Sequence, residues 1–91
     1  MDQTKVQNAI EARCMAVLAM LKEKNHAYGN SATDPIRVFS RSSPVEQLRV
    51  RIDDKLSRLA RGNPDAFGED VLLDLVGYLI LLLVSQDLDL S

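Results

Sequence analysis

Arg51, Asp54, Lys55 and Arg58 stand at offsets 0, 3, 4 and 7 along the chain. At about 100° per residue this spacing puts them on one face of a helix, as a cationic strip with one carboxylate inside it. Two chemistries fit the strip. One is ion pairing within the helix, Asp54 with Arg58 for instance, at about 0.2–0.5 kcal/mol per pair. The other is neutralisation of an anionic ligand. A second cluster is acidic: Asp70 and Asp74 are one turn apart, Glu69 stands beside them, and Gly77 and Tyr78 continue the same face. Glu69 and Asp70 suit a helix N-terminus, which favours negative side chains. Asp74 does not share that explanation, because it interrupts an apolar run where a carboxylate has to be paired, protonated or metal-bound. Either an Arg or Lys of the preceding helix pairs with it, or it ligates a hard cation such as Mg²⁺, which takes oxygen donors and phosphate oxygens. A third group is Lys24-Asn25 with Tyr28-Gly29. Lys24 can reach a phosphate, and Asn25 falls near an apolar stripe, where an unpartnered amide is costly. His26 has neither a Cys nor a second His beside it, so no zinc site is expected. The chain also lacks a credible Ser-His-Asp set and a Gly-rich phosphate loop.

Three helices must position these groups. Val6, Ile10, Cys14, Val17, Leu18 and Leu21 recur at steps of three and four, which predicts an amphipathic helix over about Thr4–His26 with Cys14 as a small core residue. Tyr28-Gly29-Asn30 should close it, since Gly tolerates the left-handed conformation. Residues 30–43 show no period and read as a loop, long enough to suggest a functional one. Ser43-Pro44-Val45-Glu46 combines an N-cap hydroxyl, Pro at the first helical position and Glu where a capping box needs it. Val45, Leu48, Ile52, Leu56 and Leu59 supply the second core stripe, and Gly62-Asn63-Pro64 ends that helix. The third helix is expected from near Gly68-Glu69 to about Ser85. Between Val71 and Val84 its only charged residue is Asp74, yet the run is too short and interrupted for a membrane span of about twenty apolar residues. A helix apolar on every side is buried on every side. Two companion helices cannot do that alone, so a helical homo-oligomer is expected.

Composition bounds the alternatives. Ninety-one residues make one domain, 1–91, with 46% hydrophobic and 26% charged residues, an ordinary globular balance rather than a disordered one. The net charge of −2 argues against general nucleic-acid binding. Its distribution is uneven: 37–61 holds seven basic residues against three acidic, and 62–91 holds six acidic and no basic. That asymmetry suits two helices that attract each other, or a site where cations and a carboxylate hold an anion together. One cysteine supports no internal disulfide, so the fold is held by packing, as in a reducing cytoplasm, and no secretory signal is expected.

In their order and separation, K-N-x-x-Y-G (Lys24 to Gly29), R-x-x-D-K-x-x-R (Arg51 to Arg58) and E-D-x-x-x-D-x-x-G-Y (Glu69 to Tyr78) resemble the nucleotide-modification-associated domain family. That family is related to the all-α MazG-like NTP pyrophosphohydrolases and dimeric dUTPases, and the resemblance spans roughly residues 10–84. It implies an all-α chain assembling as a dimer or tetramer. It also implies a Mg²⁺-dependent pyrophosphohydrolase that releases pyrophosphate from a nucleoside triphosphate. The cationic strip and sparse acidic ligands equally suit a protein that holds a nucleotide without turnover, and the blander alternative is a plain helical oligomerisation module whose charges serve solubility. Carried onto this chain, Asp70 and Asp74 become metal ligands with Glu69 assisting, and Asp54 supplies the second-helix carboxylate. Asp54, Asp70 and Asp74 would be the catalytic set. Lys24, Arg51, Lys55 and Arg58 would meet phosphate oxygens, with Asn25 and Tyr28 bordering base or sugar. The E-x-x-E pair usual in MazG-like enzymes is absent, and beyond the capping Glu46 only Asp53 and Asp54 are available on the second helix.

Overall fold

A computed structural model describes residues 2–62 and 70–90. Helix α1 spans Gln3–Tyr28, α2 Pro44–Ala60 and α3 Val71–Asp87, and no strand occurs among the described residues, so the chain is all-α. No described helix is long and apolar enough to cross a membrane.

Local chemistry explains each boundary. Asp2 caps α1 by accepting from the Thr4 N–H, and Gly29, at φ 62°, closes it. The Ser43 hydroxyl accepts from the Glu46 N–H at 3.1 Å and Pro44 opens α2. The reciprocal half of the expected capping box is not made, because the Glu46 carboxylate turns to Arg49 instead. Helix α3 begins at Val71 rather than near Gly68-Glu69. Asp70 is its N-cap, accepting from the Leu73 N–H at 3.0 Å. Gly68 and Glu69 lie outside the described residues, as do Asn63 and Pro64 of the expected α2 stop, while Gly62 adopts φ 75° just beyond α2. At the far end α3 continues through Ser85, whose buried hydroxyl donates to the Leu81 carbonyl at 2.9 Å and so leaves no unsatisfied group.

The core lies mainly between α2 and α3, with α1 joining α3 less extensively. Leu48, Ile52 and Val71 are buried there, and Val17 is the buried residue of α1. Two expectations about the core change. Val6, Ile10, Cys14 and Leu18 are exposed, because the N-terminal half of α1 finds no neighbour within the chain. Leu56 is exposed, and Lys55 takes the buried position beside it. Within one chain α3 is covered on one side only: Leu72, Val76, Leu79 and Leu83 face outward. Where α1 meets α3, Gly77 permits close approach, since a Cβ there would stand 3.1 Å from Met20 Cε and 3.3 Å from Leu21 Cδ2.

Candidate functional site

Around that close approach, all three helices and the start of the α1–α2 loop enclose a cleft of about 240 Å³. Met20, Leu21, Gly77 and Leu81 make its apolar floor, Lys24, Asn25, Tyr28, Arg51, Asp74 and Tyr78 bring polar or aromatic groups, and Ser31 and Thr33 add hydroxyls from the loop. Sequence-distant motifs therefore converge: the end of α1, the middle of α2 and the first half of α3.

Asp74 is the electrostatic centre. One of its oxygens lies 3.5 Å from the Lys24 Nζ and the other 3.6 Å from the Lys55 Nζ. The pairing lysine comes from α2, one of the alternatives for a carboxylate in an apolar run, and α1 adds a second. The Lys55 side chain is 10% exposed, Asp74 22% and Lys24 55%. Lys55 and Asp74 thus form the inner pair, and Lys24 is the cation that solvent or a ligand reaches first. Both contacts are longer than a charge-assisted hydrogen bond of about 2.7–2.9 Å, so neither lysine is locked to the carboxylate. Arg51 forms no ion pair among the described residues. Its guanidinium carbon stands 5.9 Å from the centroid of the Tyr78 ring, a cation–π distance. Lys24 and Lys55 thus meet one carboxylate, the only one lining the cleft among the described residues, and Arg51 lines the same cleft.

Asn25 is satisfied locally. Its Nδ2 donates to the Gly29 carbonyl at 3.1 Å and to Asn30 Oδ1 at 2.9 Å, which ties down the turn after α1 and fixes the wall bearing Tyr28. The turn continues through Asn30, whose carbonyl accepts from the Thr33 and Asp34 N–H groups.

Of the remaining expected residues, the described Asp54, Arg58 and Asp70 lie apart from the cleft. Asp54 pairs with Arg58 at 3.4 Å along the more exposed side of α2. The strip of α2 is therefore divided: Arg51 and Lys55 turn toward α3, whereas Asp54 and Arg58 pair with each other. Asp70 caps α3 and borders a different groove, and Glu69 lies outside the described residues. A hard cation needs several oxygen donors together. Among the described residues no group of three or more Asp, Glu, His or Cys gathers, and Asp54, Asp70 and Asp74 have separate partners. Sequence reasoning missed Met20, Ser31, Thr33 and Leu81. The length of the loop that holds Ser31 and Thr33 was one signal, and another was Gly77, a glycine inside a helical pattern. No known protein family, curated protein or solved structure matches the chain.

Proposed function

We propose that the protein binds a nucleotide in this cleft, with its phosphates against Lys24 and Arg51 and its planar base against Tyr28 and Tyr78. The observation that carries the reading is that two cations, Lys24 and Arg51, line the cleft with Asp74, the one carboxylate lining it among the described residues. The aromatic rings supply a stacking surface, and the Ser31 and Thr33 hydroxyls supply polar contacts at the mouth. The cleft is smaller than the roughly 300–1,000 Å³ typical of pockets that enclose a drug-sized ligand. It therefore admits part of a nucleotide and leaves the rest outside. The motif resemblance to nucleotide-modification-associated domains agrees with this choice of ligand.

A second reading is Mg²⁺-dependent cleavage of a nucleoside triphosphate. It is favoured by one observation: Asp74 is in the same cleft as the phosphate-reaching cations. Incubation of purified protein with a panel of nucleotides and Mg²⁺, followed by chromatography of nucleotide and pyrophosphate, separates the two. Retention without turnover supports binding, pyrophosphate release supports catalysis, and neither retention nor turnover overturns both.

The reading includes self-association as a dimer or tetramer, because α3 presents apolar side chains that α1 and α2 leave uncovered.

A further inference from the structure

The loop between α1 and α2 carries the most exposed large apolar side chains of the described residues: Ile36, Val38 and Phe39, at 88, 74 and 98%. Arg37 stands among them and Arg41 two residues beyond Phe39, with no acidic residue between Asp34 and Glu46. Neither arginine forms an ion pair among the described residues. Single exposed apolar residues are ordinary, but three within four positions beside two cations make a surface that is both apolar and positive. The loop is tied down at its ends. At its start the Asn30 carbonyl accepts from the Thr33 and Asp34 N–H groups. At its finish the Gln47 Nε2 donates to the Ser42 carbonyl at 3.1 Å, and Ser43 caps α2. Among the described residues no hydrogen bond joins residues 36–41 to a helix, so this middle part changes conformation with few contacts to break.

We propose that this segment completes the nucleotide site by folding over the mouth of the cleft when a nucleotide is bound. Phe39 then covers the face of the base that Tyr28 and Tyr78 leave to solvent, and Arg37 and Arg41 meet phosphate oxygens that lie outside the cleft. The inference rests on the nucleotide reading given above and names further residues of that site. Position argues for it, because the same loop already lines the cleft through Ser31 and Thr33. Reach allows it. Phe39 is four residues from the fixed Ser43, about 13 Å of extended chain. Arg51, in the cleft wall, is eight residues from Ser43 along α2, about 12 Å of helix. Size calls for it, since a cleft of about 240 Å³ encloses only part of a nucleotide and leaves base edge and phosphates in water. The chemistry matches as well: guanidinium groups suit phosphate oxygens, and an aromatic ring suits a base face. Closure of such a loop would shield the ligand from solvent.

Phe39→Trp tests this on the full chain, which has no tryptophan of its own. Saturating ATP should shift its emission to the blue and lower its quenching by acrylamide, as an exposed ring becomes covered. In calorimetric titration Arg37→Gln/Arg41→Gln should weaken ATP about tenfold or more and leave adenosine unchanged. Phe39→Ala should weaken both ligands about fivefold or more, through loss of one stacking surface. A wild type that binds no ATP overturns the nucleotide reading and this inference with it. ATP bound without a change in the tryptophan emission, or with wild-type affinity in both loop variants, overturns the inference and leaves the cleft reading standing. An emission that moves with vesicles of anionic phospholipid and not with ATP gives the loop to a membrane surface and likewise overturns the inference.

Discussion

Asp74 shows how one side chain can carry opposite chemical meanings until its neighbours are known. From the sequence, a carboxylate inside an apolar run demands compensation without naming its source. Pairing with a basic residue of α2 was legible as one alternative. The addition of Lys24, a full helix away, was not, because nothing in local spacing says how α1 and α2 flank α3. The pair of lysines sets up an expectation. Asp74→Asn removes one charge partner of the nearly buried Lys55, so stability should fall by about 1–3 kcal/mol, read as a lower urea midpoint at unchanged slope. The same change removes the only negative charge lining the described cleft, so affinity for a nucleoside triphosphate without metal should hold or rise. A stable variant with lost affinity would instead make Asp74 a ligand-holding group. Asp54 carries the contrasting case: its i,i+4 pairing with Arg58 was readable from spacing alone, and that is the contact it makes.

At the scale of the helices, punctuation was the most legible feature. Ser43-Pro44 opens α2 as its chemistry requires, and Gly29 closes α1. Ser43→Ala should therefore cost about 1 kcal/mol, seen in thermal or urea unfolding, because the Glu46 N–H loses its acceptor. Less legible was which apolar residues each helix buries. Periodicity identifies a stripe but not what faces it, so Val6, Ile10 and Leu56 were expected in the core and stand exposed. Lys55 shows the converse: its nearly buried ammonium lies 3.6 Å from Asp74 of α3, a neighbour that spacing along α2 does not name. At Gly77, where α3 meets α1, the nearest atoms to an added Cβ are flexible ends of Met20 and Leu21. Gly77→Ala should consequently change stability by less than about 1 kcal/mol, as helix propensity offsets the tight contact. Gly77→Val should lose about 1–3 kcal/mol through overpacking and narrow the cleft. Equal unfolding midpoints for the two variants would place the α1–α3 contact elsewhere.

For the whole molecule, the all-α architecture was readable from three amphipathic or apolar stretches and their caps. The cleft was only half readable. Lys24, Asn25, Tyr28, Arg51 and Asp74 were singled out from their types and spacing, and the fold gathers them. Asp54, Arg58 and Asp70 were singled out by the same logic, yet they stand apart, because sharing a helical face does not fix which neighbour that face meets. What the gathered residues offer is positive charge beside two aromatic rings, and calorimetric titration of ATP and of adenosine into wild type and Lys24→Ala/Arg51→Ala measures that directly. A nucleotide site built on these cations should bind ATP in the wild type and weaken at least tenfold in the double variant, since each hydrogen bond to a charged group contributes about 1.5–3 kcal/mol. Adenosine, which has no phosphate, should bind weakly and alike to both. Equal ATP affinity in wild type and double variant, or no ATP binding by a folded wild type, would contradict the assignment of this cleft.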